Sequence, residues 1–276
     1  MESKASFPFR LLRTGLRDGA YNMGLDEALL EAVARRDSLP VLRFYGWSPP
    51  AVSIGYFQGL EEEIDLASCA RHGVDVIRRI TGGGAVFHQA ELTYSIILPD
   101  THPLAGSGIQ DSYTILCAGI VEGLALLGVP ARFAPINDII VNPSGLLPME
   151  IHREYAGGRK ISGNAQIRRK RCVLQHGTIM LENDTDLMFS LLKVPQEKMK
   201  GKLIQDVKDR VTSLHMLLGR PLSFDEAADS FTEGFCRALS LDFAGAPSLL
   251  PASAEDQRAR ELAAEKFGSE EWLRRR

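Results

Sequence analysis

Cysteine is scarce in this chain, and its few copies are widely spaced. The 276 residues contain four, Cys69, Cys117, Cys172 and Cys236, and no Cys-x-x-Cys pair. This spacing argues against a disulfide framework and against a structural zinc site, because both need cysteines in close sets. Cys69, Cys117 and Cys236 fall in segments with helical periodicity, where we expect them to be small core residues.

The chain also lacks long apolar runs, a basic excess and a secretion signal. No apolar stretch approaches the ~20 residues that span a bilayer, and Met1 to Thr14 shows no basic-then-apolar pattern. The net charge is −3, so no global positive field favours nucleic acid. We therefore expect a cytoplasmic protein that binds neither a membrane nor nucleic acid. Its length fits one large domain, or one large and one small domain.

What the sequence does contain is a glycine-rich stretch between two predicted strands, Arg78-Arg79-Ile80-Thr81-Gly82-Gly83-Gly84-Ala85-Val86-Phe87-His88. Three glycines let backbone N–H groups approach an anion closely, and adjacent arginines offer forked donors for phosphate or carboxylate. No helix pattern follows that would indicate a dinucleotide fingerprint, and no Gly-Lys-Ser/Thr indicates a Walker loop. The stretch predicts a pocket for a small phosphorylated or carboxylate ligand. A glycine-rich hairpin with solvated arginines is the alternative.

Hydrophobic periodicity predicts helices and strands in an order that indicates an α+β fold. Asn22 to Arg36 has helical spacing, and we expect Asp26 and Glu27 in its first turn, where acids suit the helix dipole. Short β-branched runs predict strands on both sides of the glycine stretch. From about Met188 the pattern becomes helix-rich. The order of elements indicates a mixed sheet with helices, followed by a helical C-terminal portion.

Two further segments carry polar residues with a possible ligand role. Asn137 and Asp138 interrupt an apolar strand, which is unfavourable unless they hold a ligand such as hydrated Mg²⁺ or a ribose, or mark a bulge or strand start. Lys160 lies in a glycine-bounded segment, either as a point charge for phosphate or carboxylate or as a solvent-facing hairpin lysine. His176, in the return strand, is either a satisfied core histidine or part of a pocket wall.

Together these segments resemble the motifs of the lipoate–protein ligase A family, which is related to biotin–protein ligases and octanoyltransferases. The family pattern is Arg-Arg-x-(Ser/Thr)-Gly-Gly-Gly-Ala-Val-(Phe/Tyr)-His, then Asn-Asp, then Lys-(Ile/Val)-x-Gly-(Ser/Ala)-Ala, then His-Gly. The matching segments are Arg78 to His88, Asn137-Asp138, Lys160 to Ala165 and His176-Gly177. Asn164 departs from the pattern, because the family has a small residue there.

The resemblance runs from about Leu11 to Trp272 and implies both a fold and an activity. The implied fold is a biotin/lipoate ligase-like catalytic domain over residues 1–276, with a mixed, largely antiparallel sheet, flanking helices and a helix-rich portion from about residue 188. The implied enzyme joins lipoate and ATP to lipoyl-AMP, then passes the lipoyl group to a lysine of a lipoyl-domain acceptor protein. Lys160 would be catalytic, because a fixed cation offsets the repulsion between carboxylate and phosphate.

The resemblance also implies two sets of binding residues. Those expected to bind ATP or the adenylate are Arg79, Gly84, Ala85, Val86, Phe87, Asn137, Asp138 and Lys160, with Mg²⁺ placed at Asp138. Those expected to line the lipoyl site are Tyr45, Thr81, Gly82, Gly83, His88 and His176.

Two features distinguish between related activities. Cysteine-dependent octanoyltransferases of the family carry their cysteine just before the Lys160 segment, and residues 137–159 contain none. This absence, together with Asn137-Asp138, which is the form that ligases of the family carry, favours ATP-dependent ligation over octanoyl or lipoyl transfer from a carrier thioester. A non-catalytic lipoyl-binding protein is a third alternative. The chain also ends about where the catalytic domain of one-chain ligases ends. It therefore resembles bipartite ligases, and we expect a small accessory subunit that orders the irregular loop Asn142 to Tyr155.

Overall fold

The computed structural model describes residues 6–142, 158–193, 209–243 and 245–275. Its strands are β1 (Phe7–Arg17), β2 (Val41–Trp47), β3 (Ala51–Ile54), β4 (Asp75–Arg78), β5 (Val86–His88), β6 (Glu91–Pro99), β7 (Ala131–Ala134), β8 (Asp138–Val141), β9 (Arg159–Arg169), β10 (Cys172–Met180) and β11 (Leu241–Phe243). Its helices are α1 (Gly19–Arg35), α2 (Leu60–Glu63), α3 (Leu66–His72), α4 (Ile109–Leu126), α5 (Thr185–Leu191), α6 (Leu214–Leu218), α7 (Phe224–Leu239), α8 (Ser253–Leu262) and α9 (Glu270–Arg274). Within the described ranges, none of the helices combines the length and apolar character that crossing a bilayer requires.

A large sheet organises the fold, with the strand order β11-β1-β2-β6-β10-β9-β8-β7. Strand β1 is parallel to β11 and to β2. Every later pair, from β2–β6 to β8–β7, is antiparallel. The α+β fold with a mixed, largely antiparallel sheet is therefore confirmed. The assignment of residues 1–276 to one domain stays a prediction, and residues 143–155 of the expected loop lie outside the described ranges.

Helices cover both faces of this sheet, so its central strands are buried on both sides. Successive side chains of a strand point to opposite faces. In β2, Leu42 and Phe44 join a core formed with α4 and α7, whereas Val41 and Tyr45 join a core formed with α1 and α8. Polar side chains of β2, β6 and β10 that point toward α1 are consequently buried, and they must find partners there.

A smaller sheet, with the order β4-β3-β5, packs on the α1 side of the large one. Its central strand β3 is parallel to β4 and antiparallel to β5. The glycines connect β4 to β5, a short strand inside the stretch that the sequence did not predict, and the strand predicted after the stretch is β6. Gly55, at the end of β3, has no room for a side chain, because a Cβ there would lie 2.1 Å from the Gly83 carbonyl oxygen. This close approach brings the glycine turn over the large sheet.

Helix α1 begins earlier than the sequence predicts. The Asp18 carboxylate caps it by accepting a hydrogen bond from the Tyr21 N–H at 2.8 Å. Asp26 and Glu27 therefore lie well inside the helix and not in its first turn, and both are buried. Gly24 weakens the helical pattern in the sequence, but it allows α8 to approach, since a Cβ there would lie 2.5 Å from the Ala259 carbonyl oxygen.

Candidate active site

A cavity of about 330 Å³ lies between the large sheet and the glycine turn. The predicted site residues that line it are Lys160, Arg79, Gly83, Gly84, Ala85, Val86, Phe87, Asn137, Tyr45, His88 and His176. Thr81, Gly82 and Asp138 were predicted but do not line it. Each contacts a residue that does: Thr81 bonds His176, the Gly82 carbonyl accepts from Arg79, and Asp138 pairs with Lys160.

The glycine turn is held in shape by Arg79. Its guanidinium donates to the carbonyls of Gly82 and Gly84 at 2.9 and 2.7 Å, and to the Ser53 carbonyl at 2.9 Å. Gly83 has a φ of 101°, which glycine adopts far more readily than other residues. Burial lowers the pKa of Arg79 to about 10, so the side chain stays charged at neutral pH. Arg79 thus places a buried positive charge beside the cavity, and its guanidinium donates mainly to backbone carbonyls of the protein.

Arg78 does not contribute to the cavity, which corrects the expectation that both arginines serve as anion donors. Its fully buried guanidinium donates to the carbonyls of Leu273 at 2.8 Å and Gln58 at 2.7 Å. Its own carbonyl accepts a hydrogen bond from the Trp272 indole at 2.8 Å. Because backbone carbonyls occupy its donors, Arg78 fixes the C-terminal segment against the glycine stretch.

Lys160 and Asp138 form an ion pair where β8 begins beside β9. Lys160 Nζ lies 2.7 Å from Asp138 Oδ1, and the lysine side chain remains 37% exposed. Asn137 precedes the strand; its side-chain amide donates to the Asn164 carbonyl, and the Asn164 side-chain amide donates to the Asn137 carbonyl. The polar pair thus marks a strand start, which is the alternative that the sequence left open, and it also gives Lys160 a fixed anionic partner.

Asp138, where magnesium was expected, offers a single carboxylate. Mg²⁺ in proteins is usually bound by one or two carboxylates together with waters and substrate phosphates, and the Asp138 carboxylate is paired with Lys160. In the ranges that the structure describes, no three or more His, Cys, Asp and Glu side chains are grouped to hold a metal. The expectation of a metal at Asp138 stays a prediction.

Asn164, which departs from the family motif, is buried beside the cavity. Both its amide oxygen and its amide nitrogen form hydrogen bonds. Its Oδ1 accepts a hydrogen bond from the Tyr94 hydroxyl at 2.7 Å, and its Nδ2 donates to the Asn137 carbonyl at 2.8 Å. Room for the amide comes from Gly177, where a Cβ would lie 2.2 Å from that Oδ1. The larger side chain is accommodated because the facing position is a glycine.

Beneath the cavity, Asp26 of α1 collects polar groups from the large sheet. Arg43 pairs with it at 2.7 Å, the Tyr45 hydroxyl donates to it at 3.0 Å, and His176 Nδ1 lies 3.4 Å away. Burial alone raises the pKa of Asp26, but the charge of Arg43 and the bond from His176 outweigh it and hold that pKa below its usual value. His176 Nε2 is 2.8 Å from Thr81 Oγ1, and burial lowers the pKa of His176. We call Thr81, His176 and Asp26 the Thr81 row.

A second row of polar groups forms part of the cavity wall. Ser53 Oγ on β3 lies 2.7 Å from His88 Nε2 at the end of β5, and His88 Nδ1 lies 2.8 Å from Glu91 Oε1 at the start of β6. Trp47 stacks on the His88 ring with centroids 4.0 Å apart and donates its indole N–H to Glu91. All three members line the cavity and are buried. We call Ser53, His88 and Glu91 the Ser53 row.

Sequence reasoning identified His88 but neither of its partners. It also missed other lining residues, among them Met23, Trp47, Thr93, Met180, Met188 and Val211. A signal for the partners was available, because Ser53 interrupts an apolar strand and Glu91 opens one, and buried polar residues need partners.

None of the four cysteines lines the cavity, and all four lie in described parts of the chain. Cys69, Cys117 and Cys172 are buried, and Cys236 is partly buried. Burial raises the pKa of the Cys69 thiol to about 11 and that of Cys117 to about 12, and it raises those of Cys172 and Cys236 as well. Thiols with raised pKa values are poor nucleophiles. The core role predicted for Cys69 and Cys117 is confirmed, whereas Cys236 is only partly enclosed.

Curated relatives resemble the chain over nearly its whole length. Octanoyltransferase LipM of Geobacillus kaustophilus is 39% identical over 272 residues, which covers 96% of this chain and 97% of the relative. Octanoyltransferase LipM of Bacillus subtilis is 34% identical over 272 residues, with 96% and 97% coverage. Relatives with the same name in other bacteria fall in the same range of identity.

Solved structures share the fold. A bipartite lipoate protein ligase of Thermoplasma acidophilum, studied with its E2 lipoyl domain, superposes with a TM-score of 0.81 at 29% identity and covers 99% of both chains. A lipoate-protein ligase A bound with ATP superposes with a TM-score of 0.76 at 30% identity and covers 98% of both chains. The biotin/lipoate ligase-like architecture expected from the motifs is therefore confirmed.

The relatives correct the function predicted from the sequence. ATP-dependent lipoate ligation was the favoured prediction, and it is wrong, because the similar curated proteins are octanoyltransferases and match the transfer alternative. The prediction rested on a missing cysteine and on Asn137-Asp138, and neither excludes acyl transfer. A missing cysteine excludes only a route through a cysteine thioester, whereas a carrier thioester is already activated for transfer to an amine and needs no ATP.

The match to a family model covers the whole cavity. The model of the lipoyl protein ligase A/B catalytic domain matches residues 18–236, a span that contains every lining residue from Met23 to Val211. Together with the full-length relatives, this match identifies the chain as an enzyme of the lipoate ligase and transferase group: it belongs to the lipoyl protein ligase A/B catalytic domain family.

Proposed function

We propose that this enzyme transfers an octanoyl or lipoyl group from a carrier thioester to a lysine of a lipoyl-domain acceptor protein, without ATP. The observation that carries the proposal is the similarity to octanoyltransferases LipM over 96% of the chain. The bond that breaks is the thioester C–S bond, and the bond that forms is the amide C–N bond. Because a thioester is a better acyl donor than a carboxylic acid, the reaction needs no prior adenylation.

The lining of the cavity supports a medium-length acyl group as the substrate. Apolar side chains make up much of its wall, contributed by Met23, Trp47, Val86, Phe87, Met180, Met188 and Val211. Each buried methylene contributes about 0.8 kcal/mol to binding, so an eight-carbon chain gains far more from this wall than an acetyl group does. The volume of about 330 Å³ falls at the lower end of the range of small-molecule sites.

Two positively charged side chains border the cavity, and they support a role in holding the acyl carbonyl group. Lys160 is partly exposed and fixed by Asp138, and Arg79 is buried beside the glycine turn. Donors that are fixed before the reaction stabilise negative charge on a carbonyl oxygen as it develops. We assign Lys160 to this carbonyl, the turn residues 83–87 to the start of the acyl chain, and Tyr45 and His176 to the cavity floor.

The acceptor we propose is a folded lipoyl domain that presents its lysine at the cavity mouth. The T. acidophilum ligase of similar structure was studied with an E2 lipoyl domain, which supports the same class of partner here. The accessory subunit expected from the likeness to bipartite ligases stays a prediction.

The decisive experiment supplies the acyl group in two chemical forms. An apo lipoyl domain is incubated with the enzyme and octanoyl-coenzyme A or octanoyl acyl carrier protein without ATP, and in parallel with free octanoate or lipoate, ATP and Mg²⁺. Intact-mass spectrometry should show one octanoyl group added from the thioester in the absence of ATP. Modification that requires the free acid and ATP would contradict the proposal. An acceptor whose target lysine is changed to arginine should remain unmodified.

A lysine pair provides matched variants for the same assay. Lys160→Ala should lower transfer about 10²- to 10³-fold, the usual loss when one donor to a developing oxyanion is removed. Lys170→Ala removes a lysine from the tip of the same hairpin, where it pairs with Glu31, and should leave transfer unchanged. Equal rates for the two variants would refute the role of Lys160.

A further inference from the structure

The Ser53 row has the geometry of a nucleophile, a base and an orienting carboxylate. The distances are 2.7 Å from Ser53 Oγ to His88 Nε2 and 2.8 Å from His88 Nδ1 to Glu91 Oε1. The three residues come from β3, β5 and β6, so pairing within the small sheet and the connection between sheets fix their relative positions. Their relative exposures are 1%, 5% and 6%, and all three border the cavity.

The partners of Glu91 determine which atoms carry the protons. Glu91 Oε1 accepts hydrogen bonds from the Trp47 indole and from the Thr93 hydroxyl, so it acts as an acceptor toward His88 as well. His88 Nδ1 is then the N–H donor, and Nε2 is left as an acceptor. The Ser53 hydroxyl therefore donates to Nε2, which is the orientation that lets the imidazole remove its proton.

Arg79 places a positive charge next to the hydroxyl oxygen of Ser53. Its Nη1 lies 3.1 Å from Ser53 Oγ and 2.9 Å from the Ser53 carbonyl oxygen. Because a fixed cation stabilises negative charge that develops on a neighbouring oxygen, Arg79 favours loss of the serine proton. Its further bonds to the Gly82 and Gly84 carbonyls hold the guanidinium in place.

Other nucleophiles near the cavity are less suited. The chain has four cysteines, and none borders the cavity. The Tyr45 hydroxyl donates to Asp26, and burial raises its pKa well above the usual value. Thr93 donates to the carboxylate of Glu91 and has no bond to an imidazole. Among the described lining residues, Ser53 is the hydroxyl that a histidine and a carboxylate activate.

We propose that Ser53 is the nucleophile of this enzyme, that His88 is its general base and that Glu91 orients His88. The proposal rests on the thioester transfer proposed above. Ser53 Oγ attacks the thioester carbonyl carbon, so that a C–O bond forms and the C–S bond breaks. His88 Nε2 receives the serine proton and delivers it to the departing thiolate. The enzyme then carries the acyl group as an ester on Ser53, and the carrier leaves as a free thiol.

The second half of the reaction regenerates the serine. The neutral ε-amine of the acceptor lysine attacks the ester carbonyl carbon, so that a C–N bond forms and the C–O bond to Ser53 breaks. His88 takes the amine proton and returns it to Ser53 Oγ. The products are a free thiol and an acylated lysine, and the sequence needs no oxidant, reductant or nucleotide. Carrier and acceptor use the same site in turn, which predicts ping-pong kinetics.

The first test looks for the acyl-enzyme directly. The full chain is incubated with octanoyl-coenzyme A without an acceptor, quenched in acid and analysed by intact mass and peptide mapping. One octanoyl group should appear on Ser53 and should resist neutral hydroxylamine, which cleaves thioesters. Ser53→Cys keeps the size of the side chain and should give an adduct that hydroxylamine removes. Ser53→Ala should give no adduct and should lower acyl transfer by at least about 10³-fold.

The second test does not depend on the thioester substrate. An octyl fluorophosphonate reacts with activated serines, so it should label Ser53 in the wild type and fail to label Ser53→Ala or His88→Gln. Ser230→Ala is the matched control, because Ser230 bonds to Gly123 on the far side of the large sheet, and it should be labelled as the wild type is. Thermal melts of all variants confirm that they fold.

The outcomes separate the two proposals. Labelling of Ser53 by the fluorophosphonate without transfer from any thioester would support the activated serine and reject the thioester reaction. Transfer from the thioester with full activity in Ser53→Ala, or with the adduct on another residue, would overturn Ser53 as the nucleophile and leave the proposed function standing. Absence of both label and adduct on Ser53 in the folded wild type would likewise overturn it.

Discussion

The Ser53 row and the Thr81 row both join a hydroxyl, an imidazole and a carboxylate, yet they differ in access to the cavity. Ser53 borders the cavity, whereas Thr81 is fully buried and does not. The hydroxyl–imidazole distances are nearly equal, at 2.7 and 2.8 Å. The imidazole–carboxylate distances are not, at 2.8 Å in the Ser53 row and 3.4 Å in the Thr81 row.

The carboxylates differ still more in their other partners. Glu91 accepts from Trp47 and Thr93, which are neutral, so its charge is available to an imidazolium at His88. Asp26 is paired with the buried guanidinium of Arg43, which already neutralises it. Three linked side chains therefore do not define a catalytic group by connectivity alone. The partner of the carboxylate decides whether the row can stabilise a transferred proton or only hold strands and helix together.

The most direct test of this difference is to make the same chemical change in each row. In Glu91→Gln the amide keeps the shape of the side chain but loses the charge that stabilises protonated His88. We expect the rate of Ser53 acylation to fall about 10³- to 10⁴-fold, as in other triads that lose this carboxylate. Stability should change by about 1 kcal/mol or less, because the remaining partners are neutral. The measurements are the acylation rate by intact mass and the free energy of unfolding in urea.

The control for this change is Glu226→Gln, which removes a surface carboxylate on α7 that pairs with Arg220. It should leave acylation unchanged. An acylation rate of Glu91→Gln equal to that of Glu226→Gln would show that Glu91 does not serve the chemistry.

The same change in the other row should affect stability first. Asp26→Asn leaves the guanidinium of Arg43 buried without a counter-charge, and breaking a buried pair from one side typically costs about 3–5 kcal/mol. Urea unfolding measures this loss. The double variant Asp26→Asn with Arg43→Met should recover part of it, because no unpaired charge remains. If Asp26→Asn alone were as stable as the wild type, solvent would have to reach the Arg43 guanidinium in solution.

The hydroxyl of the Thr81 row should contribute a smaller amount. Thr81→Val preserves the shape and removes the bond to His176 Nε2, which leaves a buried polar atom unsatisfied at a cost of about 1–3 kcal/mol. Acylation of Ser53 should stay within a few-fold of the wild-type rate. The comparison with Ser53→Ala is direct, since each change deletes one hydroxyl bonded to a histidine. A loss of acylation in Thr81→Val as large as that in Ser53→Ala would erase the distinction between the two rows.

The sequence predicts those features of the molecule that depend on residues close together along the chain. The α+β class follows from periodicity, and the motif resemblance adds the largely antiparallel sheet. The glycine turn and Lys160 stand out because their residue types are unusual in their segments. His88 and His176 were placed in the pocket through the motif. These predictions needed no knowledge of which strands pair.

The parts that the sequence could not predict depend on contacts between distant segments. Ser53 meets His88 only because β3 pairs with β5, and it meets the Arg79 guanidinium only because β3 also pairs with β4, which ends just before Arg79. Asp26 was taken for a first-turn acid because the cap at Asp18 was not recognised, although Asp at this position is a common cap. Arg78 was taken for a ligand donor, but its guanidinium donates to backbone carbonyls, among them that of Gln58 twenty positions away and that of Leu273 almost two hundred positions away.

The smallest predicted effect concerns pH and tests whether His176 is buried as a neutral group. Burial lowers the pKa of His176 in the folded chain below its ordinary value of 6.5. Above pH 6.5 the histidine is neutral in both folded and unfolded chains and adds no pH dependence. Below it the unfolded chain binds a proton that the folded chain does not, so the free energy of unfolding falls as the pH falls.

The slope of this loss is at most about 1.4 kcal/mol per pH unit for one histidine, and we expect about 1 kcal/mol between pH 6.5 and about pH 5. Asp26 does not contribute in this window, because its folded pKa lies below 3.8 and its stabilisation is lost only at more acidic pH. His102, whose pKa burial also lowers, contributes in the same direction. Urea unfolding of His176→Gln should therefore show a shallower slope than the wild type, and His102→Gln provides the separate correction. An unchanged slope in His176→Gln would mean that His176 takes up a proton in the folded chain as readily as in the unfolded chain. The Thr81 row would then resemble the Ser53 row in its ability to hold a proton.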